Sequence, residues 1–237
     1  MATKTSQTRP WFLLIFPPVL FLLVITAFSI YFGVQFQGDA DAIATQTTAA
    51  TPYILLVSQL ILLVVQFIVF RRQHLSLRGL GWQVTEDQTV GKELLLGAII
   101  GAPIGIAWIF VLEPILSVLQ GIADYVPAGS LFPALSGVII PFAIADVVLA
   151  PFVEENIYRG YGWKLLLARF GKTGAVLLSS LFFGLLHWSG GFWYIVMTAT
   201  LVGVPFAILR NQRGNILAPF GAHLALNIVE TALVVLR

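Results

Sequence analysis

The chain has 237 residues, 58% of them apolar and 10% charged, at a mean hydropathy of +0.92. A soluble domain carries about 25% charged residues, so these values exclude one and point to a polytopic membrane protein of about six to eight helices. The net charge of +2 gives no nucleic-acid footprint, and the lack of cysteine excludes disulfides and thiolate metal sites.

Residues 1–10 are polar and contain Lys4 and Arg9. The apolar run from Trp11 to about Phe36 is longer than a signal-peptide h-region, so it reads as a retained span. Gln37 to Thr51 is a small, polar connection with Asp39 and Asp41 and no basic residue. A second span runs Pro52 to Phe70 and stops at Arg71-Arg72; the polar segment Gln73 to Gly91 follows. A third span, about Glu93 to Leu119, carries Pro103 and Pro114. The fourth starts near Leu131, carries Pro141 and Pro151, and runs to Phe170. Gly171-Lys172-Thr173-Gly174 is a turn signal. The fifth span covers Ala175 to Trp188, and Ser189-Gly190-Gly191 breaks it. The sixth runs Phe192 to Leu209, and the seventh about Asn215 to Leu236.

The expected fold is therefore an all-α bundle of about seven transmembrane helices. Excess Lys and Arg mark cytoplasmic segments. With the N-terminus cytoplasmic, all of the thirteen Lys and Arg residues except Arg237 fall on that side. The expected localisation is integral and multi-pass, and compactness suggests a bacterial cell membrane.

Ionisable groups at membrane depth are costly and are functional candidates by default. Glu154 and Glu155 lie side by side at the end of an apolar run, and Arg159 sits one helical turn after Glu155. His187 and His223 both lie inside apolar helices, whereas His74 lies in a polar loop. Glu154 precedes the turn at 170–173 by about as many residues as His187 follows it, so an antiparallel pair brings both to one level. His223 follows the start of the last helix by roughly eight residues, or ~12 Å. Asn227 shares its face, and Glu230 follows three residues later. Pro151 and Pro219 each precede a motif and are expected to kink their helices and free carbonyls. Asp146 lies eight residues before Glu154 and on nearly the same face; Glu113, Trp163, Trp188, Trp193 and Tyr194 read as interfacial.

The set Glu154-Glu155-x-x-x-Arg159, Phe183-x-x-x-His187 and His223-x-x-x-Asn227 resembles the three-motif signature of the CPBP intramembrane proteases. This family includes CAAX prenyl protease 2-like and bacteriocin-processing or immunity-type proteins. The resemblance covers about Leu131 to Val235, so the first three spans are expected to add only topology. It implies a single integrated membrane domain, with a three-span region at 1–130 and a catalytic core at 131–237.

The resemblance further implies that Glu154 activates water with His187, that His223 and Asn227 stabilise the oxyanion, and that Glu155 and Arg159 support the site. Amide hydrolysis needs such a base and such donors. Neither a G-x-S-x-G elbow nor an H-E-x-x-H zinc motif occurs. No cofactor is expected. The alternative is zinc held by Glu154, His187 and His223.

The expected activity is endopeptidase cleavage of a membrane-associated peptide or protein, prenylated or bacteriocin-like, reached from the cytoplasmic side. Two other readings are a non-catalytic binding or immunity protein of the same fold, and a proton-coupled transporter. Paired repeats with broken helices, which would favour a transporter, are absent from the sequence.

Overall fold

The computed structural model describes residues 11–128 and 137–236. Among them every regular element is helical. Six runs are long and apolar enough to cross a membrane. They are α1 (Phe12–Gln35), α3 (Thr51–Arg72), α4 (Val90–Ile122), the 48-residue run Ile139–Leu186, α7 (Phe192–Arg213) and α8 (Leu217–Leu236). The short helix Ala40–Ala49 between the first two is α2.

The 48-residue run folds back on itself. Gly171 has φ 68° and ψ −173°, outside the helical region. The rings of Tyr158 and Phe183 meet at 5.9 Å, although an unbroken helix would hold them roughly 37 Å apart. The run is therefore two legs, α5 (139–170) and α6 (172–186), joined at the turn the sequence marks. The expected start of this span near Leu131 lies outside the described residues; the described helix begins at Ile139.

The segment read as a polar connection is itself helical. Asp39 caps α2, its carboxylate accepting from the backbone N–H groups of Asp41 and Ala42. α4 is capped by Thr89 and α8 by Asn215. Arg213 and Asn215 both donate to Glu93, which ties the starts of α4 and α8 together.

Proline acts differently at its several positions. Wide π-type turns occupy 108–112, 144–149 and 198–203, each just before Pro114, Pro151 or Pro205. A proline has no N–H and clashes with the preceding turn, and a wider turn relieves both problems. Pro219 makes no such distortion, contrary to expectation. It lies in the first turn of α8, where no intrahelical donor is required.

Helices in lipid associate through close packing of small residues. Gly97 and Gly101 of α4 lie directly against the backbone of α8 at Ala218 and Ala222. A Cβ at either position would collide with a carbonyl oxygen of α8, which is backbone and has little freedom to move. Gly101→Leu should therefore separate these helices, at a cost above the usual 1–3 kcal/mol of overpacking. The expected result is loss of monodisperse protein in detergent, while Gly91→Leu, at a position open on the surface, behaves as wild type.

Candidate active site

Glu154 and Glu155 sit in α5 between two π-type turns, 144–149 and 156–162. An extra residue per turn re-aims the side chains that follow, which is why such turns cluster at functional sites. Both carboxylates are buried, as are Arg159, His223 and Asn227.

The supporting pair forms as the spacing predicts. Arg159 Nη1 donates to Glu155 Oε1 at 3.3 Å. Its other amino group donates to the Gly203 carbonyl at 3.0 Å, and its guanidinium stacks 4.4 Å from the Phe183 ring centre. Arg210 Nε in turn donates to the Arg159 carbonyl at 2.8 Å. Glu155 Oε1 also faces His223 Nδ1 at 3.1 Å, so one carboxylate joins α5 to α8.

The remaining groups converge on the same space. Glu154 Oε1 accepts from Gln59 Nε2 at 2.9 Å. Its Oε2 has no hydrogen-bond partner among the described residues and lies 4.0 Å from His223 Nε2, too far for a direct hydrogen bond. His187 Nδ1 is 2.8 Å from the Phe183 carbonyl. That oxygen only accepts, so Nδ1 carries a proton, and in the neutral ring Nε2 keeps its lone pair. Asn227 Nδ2 donates to the Asp146 carbonyl at 2.7 Å, leaving its second N–H available. Glu154, His187, His223 and Asn227 all line one cavity of about 580 Å³.

The zinc alternative would need Glu154, His187 and His223 gathered about one point. Among the described residues no three His, Asp or Glu side chains stand close enough to hold a metal ion.

Several participants escaped the sequence reading. Gln59 comes from α3, so the N-terminal spans contribute more than topology. Arg210, one of the basic residues on the expected cytoplasmic side, is buried. Tyr194 packs edge-on to His187 at 5.6 Å and lines the cavity, so it is no interfacial anchor. Trp163 is likewise buried, with the Arg210 guanidinium over its ring. The polar membrane residues Gln59 and Gln66 were the available signal.

The course of the cavity bears on the direction of access. On α3 its lining runs from Leu62 to Thr51, most of it on the side of Gln59 away from Arg71 and Arg72. On α8 it runs from His223 to Glu230, away from Arg213. It therefore extends from the site toward the end of the bundle opposite the basic residues. Near that end Asp124 holds the start of α7, accepting from the backbone N–H groups of Phe192 and Trp193. Partial burial pushes the Asp124 carboxyl up, but these N–H donors outweigh it and hold the group below its ordinary value.

Fold and composition together define a multi-pass integral membrane protein. Residues 136–229 match the family model described as Rce1-like, type II CAAX prenyl endopeptidase. That segment carries all three motifs, and the match agrees with the CPBP resemblance. The family is one of peptide-bond hydrolases. No curated protein and no solved structure gives a significant match.

Proposed function

We propose that the protein is an intramembrane endopeptidase in which Glu154 activates the attacking water. The observation that carries this reading is the Glu154 carboxylate. One oxygen is fixed by Gln59, while the other is buried and unpaired among the described residues, on a side chain that lines the cavity shared with His187 and His223. A base held in one orientation with a free oxygen is what general-base catalysis requires.

In the proposed reaction the water gives its proton to Glu154 and its oxygen to the scissile carbonyl. His187 Nε2, an acceptor in its fixed tautomer, orients the water's second hydrogen. The second N–H of Asn227 donates to the oxyanion, and so does His223 Nε2 when that ring carries its second proton. Glu154 then returns the proton to the leaving nitrogen as the C–N bond breaks. Glu155, held by Arg159, fixes the His223 ring. The substrate is a membrane-associated peptide or protein. With the basic ends cytoplasmic, it would reach the site from the opposite face.

The test is cleavage by purified protein in lipid vesicles supplied with host membrane proteins, read as new peptide C-termini by mass spectrometry. Cleavage should survive extended chelation, because the side chains do not gather as a metal-binding set. Loss on chelation with recovery on zinc alone would replace this mechanism by one with Glu154, His187 and His223 as ligands.

A further inference from the structure

Beyond the level of Glu154 and His223, the cavity wall carries a second group of carboxylates. Asp146 lies eight residues before Glu154 on α5, and Glu230 seven residues after His223 on α8; both line the cavity. Asp146 is tied in place, its Oδ2 accepting from Thr231 at 3.4 Å and its carbonyl from Asn227. Glu230 is not. Its residue is only 9% exposed, and its carboxylate makes no hydrogen bond or ion pair with any described residue. Its electrostatic neighbours, Asp146 and Glu113, are themselves acidic.

A buried carboxyl group keeps its charge only with a partner and otherwise holds a proton. Within the protein, the buried Arg159 is already engaged by Glu155 and the Gly203 carbonyl. The described side chains do not form a metal-binding group. A cation at the end of a flexible stem has no need of that chelating geometry. It would arrive from the cavity, which extends toward the end of the bundle poor in Lys and Arg.

We propose that Asp146 and Glu230 form a subsite for the ammonium or guanidinium group of a basic residue in the bound peptide. The subsite rests on the peptidase reading only in calling that peptide a substrate. Eight helical residues separate Asp146 from Glu154, or about 12 Å along α5. An extended peptide advances ~3.3 Å per residue. The basic residue therefore lies about three to four positions from the scissile bond. One such buried pairing is worth at least about tenfold in binding.

Binding and cleavage test different parts of this account. Acetylated, amidated apolar octapeptides, each carrying one Lys scanned through the sequence, are titrated onto the Glu154→Gln protein in lipid nanodiscs. A matched set replaces Lys by norleucine, and a third has a free N-terminus, which distinguishes a terminal ammonium from a side chain. Lys peptides of one register should bind at least about tenfold tighter than their norleucine partners. Asp146→Asn with Glu230→Gln should bring that ratio to one. Equal binding of the Lys and norleucine sets, or none by either, overturns the subsite without reference to any variant. Discrimination in binding with no cleavage by the unmutated protein leaves the subsite standing and sinks the peptidase reading instead.

Discussion

Glu154→Gln should abolish peptide cleavage while leaving a folded protein. The substitution keeps the shape of the side chain, and its amide oxygen still accepts from Gln59 as Glu154 Oε1 does. The loss is the ability to take a proton from water. A positioned general base contributes about 10²–10⁴-fold, so cleavage should fall by at least that factor. Detergent melting and elution volume should stay near wild type. Full cleavage by the variant would remove Glu154 from the chemistry, and an unfolded variant would make the cluster structural.

Arg159→Ala is expected to do the opposite, failing first in stability. Arg159 and Glu155 are both fully buried, and the guanidinium also holds the Gly203 carbonyl and lies on Phe183. Removing one partner of a buried ion pair costs about 3–5 kcal/mol, because the other charge is left behind. Here that charge is Glu155, which also orients His223, so activity should fall with folded yield. Arg159→Lys keeps a charge near Glu155 but lacks the planar fork that makes the second contact. It should melt between the wild type and the alanine variant. Equal melting of all three proteins would mean that the pair adds nothing to the fold.

The contrast between these two variants follows what was legible in the sequence. Glu154, Glu155, Arg159, His187, His223 and Asn227 stand out because each is polar where its neighbours are apolar, and the turn at Gly171 sets their common level. The geometry brings Glu155, Arg159 and His223 into contact and lines one cavity with the others. The partners that hold them were not legible. Gln59 lies 95 residues before Glu154, so only tertiary packing pairs them. The Gly203 and Phe183 contacts use backbone carbonyls, which every residue possesses. Arg210 lies near a helix end with Arg213, and nothing in its spacing says that it turns inward while Arg213 pairs with Glu93.

The course of the cavity is not legible in the sequence for a related reason. The charged hairpin around Gly171 suggested a mouth at the basic end, but charge at a helix end reports solvent or headgroups and not where helices separate. The separation depends on which faces pack. α4 and α8 close tightly through glycine, whereas residues of α1, α3, α5 and α8 line the cavity beyond Gln59, Glu154 and His223. α2 was missed because its short polar sequence has no apolar periodicity; the Asp39 cap was its one signal.

The central claim is that Glu154 delivers a water to a peptide carbonyl, and oxygen labelling tests it most directly. A substrate identified by its new C-terminus is cleaved in a single turnover in ¹⁸O-water by excess protein in lipid vesicles. Direct water attack predicts ¹⁸O in the new substrate carboxylate and none in the peptide of the protein that contains Glu154. An unlabelled product carboxylate, with ¹⁸O found in Glu154 itself, would show that the carboxylate attacks the carbonyl and would contradict the account.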